Sequence, residues 1–186
     1  MAQKENQRIA LTKKLLQEGL LRLLEVKSLD RISVTELCRE SGINRATFYN
    51  HYNSPQDLLD SIEDKIVVDI KQLIRSPRTA ENISAHIEAL CNYFYNNSRT
   101  ILILHDCNAD RKISKSLYEY NLDFHGFRLK SKYSRNVPDE ALHLISVYFY
   151  VGCYSLVLEW LRKEVPATPA QIAELLIVLA RENFVE

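Results

Sequence analysis

Between Ser33 and Pro55 the sequence signals a helix start three times. Ser33-Val-Thr-Glu36 has the spacing of a capping box: the Ser33 hydroxyl accepts from the Glu36 amide, and the Glu36 carboxylate reaches back. Val34, Leu37 and Cys38 give the short helix that follows one buried face. Gly42 suits the left-handed turn that ends it. Asn44 is placed to cap the next helix, over about Arg45 to Tyr52. Ser54-Pro55-Gln56-Asp57 then repeats the start, with Ser54 as cap, proline at the first helical position and an acid in the first turn. Punctuation this dense admits only short helices joined by tight turns. Ahead of it, Leu16, Leu20, Leu23 and Leu24 form one apolar stripe, which predicts a longer helix over about Arg8 to Val26.

The rest of the chain reads as helix throughout, since four glycines and five prolines leave few breaks in 186 residues. A fourth helix is predicted from Ser54 to about Arg75, ended by Ser76-Pro77. Further helices are expected near 79–97, 99–106, 113–132, 139–163 and 169–184, the last two opened by Pro138-Asp139 and Thr168-Pro169. The segment Ile145–Leu161 is apolar nearly all round, so it must be buried on several sides. One side is assigned to a second copy of the chain, through Ile145, Phe149, Gly152 and Leu156, together with the stripe Ile172, Leu175, Leu176 and Leu179. No apolar run is read as reaching the roughly 18 residues of a membrane span, and the start MAQKENQRIALTKK has no secretory h-region. Cys38, Cys91, Cys107 and Cys153 have no zinc or redox spacing and read as free thiols of a reduced cytosol. The fold class is therefore all-α, in two parts: a three-helix head over 1–53 and a helical body over 54–186.

Net charge is zero, but the head carries nine Lys and Arg against six Asp and Glu, and the remainder fifteen against eighteen. The asymmetry is mild. The chemistry of Gly42–Tyr52, GINRATFYNHY, says more. Ile43, Phe48 and Tyr52 share one side of a helix and can pack inward. Arg45, Thr47, Tyr49, Asn50 and His51 are hydrogen-bonding groups crowded into about two turns. Three short helices with a tight turn before the third make a helix-turn-helix, whose third helix enters the DNA major groove. Arg45 can fork onto guanine, Asn50 onto adenine, and the Ala46 methyl can meet thymine. Thr47, Tyr49 and His51 have the reach to bond phosphates, which sets register without reading sequence. Ser33 and Thr35, at the start of the second helix, can do the same.

The stretch ISVTELCRESGINRATFYNHYNSPQDLLD, Ile32 to Asp60, resembles the DNA-binding domain of the tetracycline-repressor (TetR/AcrR) family. Gly42, Ile43, Asn44, Thr47, Phe48, Tyr49, His51, Tyr52, Ser54 and Leu58 fit the family pattern. GCYSLVLEWLRKEVPATPAQIAELLI, Gly152 to Ile177, is similar to the family's last two helices. The resemblance implies a homodimer with two helix-turn-helix heads on a palindromic operator in double-stranded DNA. It also implies a four-helix interface from the last two helices of each copy, and a small effector bound among the middle helices. It places the DNA contacts at Thr35, Arg45, Ala46, Thr47, Tyr49, Asn50 and His51. One departure stands out. Where the family has a phosphate-binding Lys after Ser54, this chain has Pro55.

No catalytic set, metal site or cofactor is called for. His105, Asp106, Cys107 and Asp110 are of metal-ligand type, but their spacing favours a polar helix end. Candidate effector contacts are Tyr93, His105, Tyr118, Phe124 and Tyr148, which would suit a planar or amphiphilic ligand. His86, His125 and His143 are read as satisfied surface or core groups. Two functions of different class remain open. The first is an effector-responsive, DNA-binding regulator, read as a repressor. The second is a helical interaction protein acting through a protein coactivator, with a weakened head.

Overall fold

A computed structural model describes residues 2–74, 83–120, 138–162 and 166–184. The described residues hold helices and no strand. In chain order these are α1 (Ala2–Leu24), α2 (Val34–Ser41), α3 (Arg45–Tyr49), α4 (Pro55–Leu73), α5 (Ile83–Asn96), α6 (Ser98–Asp106), α7 (111–120), α8 (Asp139–Leu161) and α9 (Pro169–Phe184). A 3₁₀ turn, Leu29–Arg31, leads into α2. The first helix begins earlier than its leucine stripe suggested, because the polar start AQKENQR continues it. The expected break at Ser76-Pro77, residues 121–132 of the seventh helix, His125 and Phe124 lie outside the described residues.

The chain divides into two compact units, residues 1–66 with 103–110, and residues 67–102 with 111–186. The division falls inside α4. The first unit is built on α1, whose Leu16 and Leu20 are fully enclosed, with Leu37 of α2, Phe48 of α3 and Leu58 of α4. Here α1 and α2 approach closely because both are small at the crossing. A Cβ on Gly19 would overlap Ser41 Oγ and stand 3.2 Å from Ser41 Cβ. Ser41 itself turns inward to donate to the Leu37 carbonyl at 2.6 Å. Gly19→Ala therefore sets a helix-propensity gain of about 1 kcal/mol against an overpacking cost of roughly 1–3 kcal/mol. The clash should win. Chemical denaturation is expected to show a net loss of about 1 kcal/mol, reversed when Ser41→Gly is added to the same chain.

In the second unit α9 packs along α5, which also meets α8. Phe94, Ile101, Ile113, Leu158, Trp160 and Ile172 form its buried apolar set. Trp160 donates through Nε1 to the Ala167 carbonyl at 2.8 Å, tying the end of α8 to the approach to α9. The start of α9 is a full capping box. Thr168 Oγ1 accepts from the Gln171 amide at 3.3 Å, and Gln171 Oε1 accepts from the Thr168 amide at 2.8 Å.

One sequence expectation about α8 needs correction, and the exposures along α8 and α9 add detail to another. The segment His143–Leu161, 19 residues of mean hydropathy 1.5, is long and apolar enough by length and composition to cross a membrane. Its glycine, two serines and single glutamate weigh little against the surrounding Val, Leu and Phe. Among the described side chains of α8, the most exposed apolar row lies one residue before Ile145, Phe149 and Gly152. It runs through Leu144 (66% exposed), Tyr148 (75%) and Val151 (51%), with Gly152 beside it. Ile145, Phe149 and Leu156, one residue further on, are half-buried. On α9, Leu175 and Val178 are exposed and Leu176 and Leu179 half-buried, but Ile172 is enclosed at 4% exposure and belongs to the core of its own chain.

Candidate nucleic-acid interface

Local signals build α2 and α3 as their sequence requires. Ser33 is extended (φ −83°, ψ 152°), and its hydroxyl accepts from the Glu36 amide at 3.2 Å. The reciprocal half of the box is not made. The Glu36 carboxylate takes the Lys27 ammonium at 2.5 Å instead, since a full charge outcompetes a backbone amide. Gly42 ends α2 in the left-handed region (φ 67°, ψ 23°), and the Ile43 amide reaches the Cys38 carbonyl at 3.0 Å, which closes the turn. Asn44 caps α3, its Oδ1 accepting from the Thr47 amide at 2.8 Å.

The third helix is anchored from inside. Phe48 is completely enclosed, with the Tyr49 ring edge-on at 5.4 Å and the Tyr52 ring at 6.1 Å. Tyr52 is buried and Ile43 half-buried. The outer side carries Arg45, Ala46, Tyr49 and Asn50, all exposed, with Thr47 and His51 half-exposed. Ser33 and Thr35 are exposed at the start of α2. The regular helix is shorter than expected. It stops at Tyr49, and Asn50 and His51 lie in the turn that closes it. Burial of Tyr52 explains the stop: the His51 and Tyr52 amides both bond the Phe48 carbonyl at 2.9 Å, tightening the chain inward.

The start of α4 differs from what an anion would need. Pro55 occupies the first position and brings no amide. The Asp57 amide is taken by Ser54 Oγ at 3.1 Å. The Asp57 carboxylate accepts from the Asn53 backbone amide at 2.8 Å and from Asn53 Nδ2 at 3.0 Å. The chain's own acid therefore occupies this helix end, a pairing readable only once Asn53 and Asp57 are seen together.

Four of the candidate effector residues, Tyr93, His105, Tyr118 and Tyr148, lie among the described residues. Tyr93 donates to Asp69 at 2.9 Å; burial, then that bond and the Asp69 charge, push its phenol upward. Tyr118 is hydrogen-bonded to His143 Nδ1 at 2.9 Å and meets the Tyr150 ring edge-on, while Tyr150 reaches Ser114. His105 pairs with Asp110 at 2.8 Å, as a polar helix end would. Tyr148 is exposed in the single chain. His86, expected to be satisfied, is buried with Nδ1 meeting no protein partner. Burial pushes the Cys91 thiol up to about 12, with Glu88 adding to it, and raises Cys38, Cys107 and Cys153 as well. The reactive form of cysteine is the thiolate, so these shifts favour inert thiols.

Residues 81–182 match a family model described as a TetR transcriptional regulator C-terminal region. No curated protein matches the sequence. Solved structures do. A transcriptional regulator from Pseudomonas aeruginosa PAO1 is 20% identical over 92% of this chain and 93% of that one, with a TM-score of 0.64. The fatty acid degradation regulator FadR from Bacillus halodurans is 14% identical over 90% and 93%, at 0.61. The dihydroxyacetone kinase operon activator DhaS is 18% identical over 93% and 96%, at 0.57. At these identities the likeness is one of fold. Because the family match itself spans more than half of the sequence, this protein belongs to the TetR family of transcriptional regulators.

Proposed function

We propose that the protein is an effector-responsive repressor that binds a palindromic DNA operator as a homodimer in the cytoplasm. One observation carries the DNA reading: Arg45, Ala46 and Tyr49 are exposed on a short helix fixed from behind by fully buried Phe48, and Asn50 is exposed in the turn that closes it. Arg45, Ala46 and Asn50 are the base-edge readers. Thr47, Tyr49 and His51, with Ser33 and Thr35 across the turn, hold phosphates. The sign is repression, because a dimer on its operator excludes polymerase by occupancy. The open row on α8 supports dimerisation, and α9 also leaves apolar side chains open, Leu175 and Val178. The effector is a small molecule held in the helical unit, where Tyr93 and Tyr118 offer hydroxyls among apolar groups.

A second reading rests on the start of α4. The Asp57 carboxylate there opposes a phosphate, and Pro55 adds no charge. A head weakened in this way would act through a protein coactivator.

Selection of bound sites from random DNA tests the first reading, since a palindromic consensus is expected. Arg45→Ala should then relax preference at one operator position and weaken binding there by roughly 1–3 kcal/mol. Tyr49→Phe keeps the ring contact to Phe48 and should weaken all sites alike. An Arg45→Ala protein that retains the full consensus would remove Arg45 from the reading face. Failure to enrich any site would favour the coactivator reading.

A further inference from the structure

Arg39 lies one turn beyond Thr35 on α2, and both are exposed. At about 100° per residue the two are roughly 40° apart around the helix, and Cys38 is their neighbour on the buried side. That flank is the one near α3. Burial raises the Cys38 thiol, and the Arg45 charge acts on it in the opposite sense.

The other flank of α2 carries the acids. Glu36 is the residue spaced to pair with Arg39 along the helix, but its carboxylate is committed to Lys27. Glu40 is committed to Arg22 of α1 at 2.6 Å, and Arg22 Nη2 also donates to the Glu40 carbonyl at 3.1 Å. Glu36 and Glu40 are themselves one turn apart, so both acids form a row drawn toward α1 and the turn after it. The helix is thereby sorted by charge. Among the described residues no carboxylate pairs with Arg39. Arg39 is left on the same flank of the helix as Thr35, away from both acids.

We propose that Arg39 is a further DNA contact, a backbone clamp that binds a phosphate one turn beyond Thr35 and reads no base. Guanidinium suits this task, since it keeps its charge and can bind two phosphate oxygens at once. The inference rests on the operator-binding reading above.

Fluorescence anisotropy of the full chain on a DNA duplex of random sequence, titrated over a range of salt, tests it. Each phosphate contact contributes about 0.9 to the slope of log K against log salt. Arg39→Gln is expected to lower the slope by about that amount per chain and to weaken binding roughly five- to tenfold near 0.1 M salt. Arg39→Lys should restore the slope, because the point charge is kept. Thermal midpoints should agree with wild type within about 2 °C, since the side chain is exposed. Wild-type binding with an unchanged slope in Arg39→Gln overturns the assignment of Arg39 alone. A wild-type chain with no salt-dependent binding overturns the DNA reading, and Arg39 with it.

Discussion

Val151→Asp is expected to turn the protein from a dimer into a folded monomer at micromolar concentration. Val151 is 51% exposed in the single chain, on the row of α8 that also holds Leu144 and Tyr148, so the substitution costs the monomer little. A carboxylate placed in a dry interface without a partner costs several kcal/mol. In a two-fold interface the same substitution enters twice. A combined loss of about 4 kcal/mol would raise the dissociation constant roughly a thousandfold. Gly152 lies beside this row, and a Cβ there would meet nothing within 4 Å of its own chain, which leaves room for a facing helix. Obligate interfaces of this kind bury on the order of 2,000 Å² or more. Sedimentation velocity decides it. A wild-type monomer at micromolar concentration refutes the dimer, while a stable Val151→Asp dimer moves the interface off this face. Ile172→Asp cannot serve as the same test, because Ile172 is enclosed and the change would unfold its own unit.

Phe48→Ala should abolish DNA binding although Phe48 is proposed to touch no DNA. The ring is fully enclosed and braced by Tyr49 and Tyr52. Its removal should cost about 3–5 kcal/mol in lost burial and residual cavity. Domains are commonly stable by only about 5–15 kcal/mol, and a small one sits near the low end. The first unit should therefore lose its protection in amide exchange, beginning at α3, before the second does. Tyr49→Ala, by contrast, removes an exposed ring and should leave exchange nearly unchanged while weakening DNA binding. A Phe48→Ala protein within about 1 kcal/mol of wild type would mean that the cavity collapses, and that α3 is held by something other than this ring.

The difference between these two substitutions follows what could be read in advance. Phe48 and Tyr52 were legible as the inner side of the third helix, since the helical period alone separates them from Arg45, Tyr49 and Asn50. The partners of the charged residues were not. Glu36 has capping-box spacing to Ser33, yet its carboxylate goes to Lys27. Asp57 reads as a first-turn acid favoured by the helix dipole, yet it closes a loop to Asn53.

What the sequence by itself determined is whatever a single turn of chain can encode. Ser33 to Glu36, Asn44 to Thr47 and Ser54 to Asp57 are each three residues apart, and Gly42 needs only its own backbone freedom to take a positive φ. Those bonds form among neighbours, so helix starts, the tight turn and the all-α class were legible, and with them the family. Only the tertiary structure decided which side of a helix is covered. On α8 every side is apolar, so periodicity carries no direction, and the covering helices choose among Leu144, Ile145 and their neighbours. The same holds for the end of α3, which stops where burial of Tyr52 turns the backbone inward. Long-range contacts depend on which distant segment arrives within a few ångström, and no local spacing carries that information.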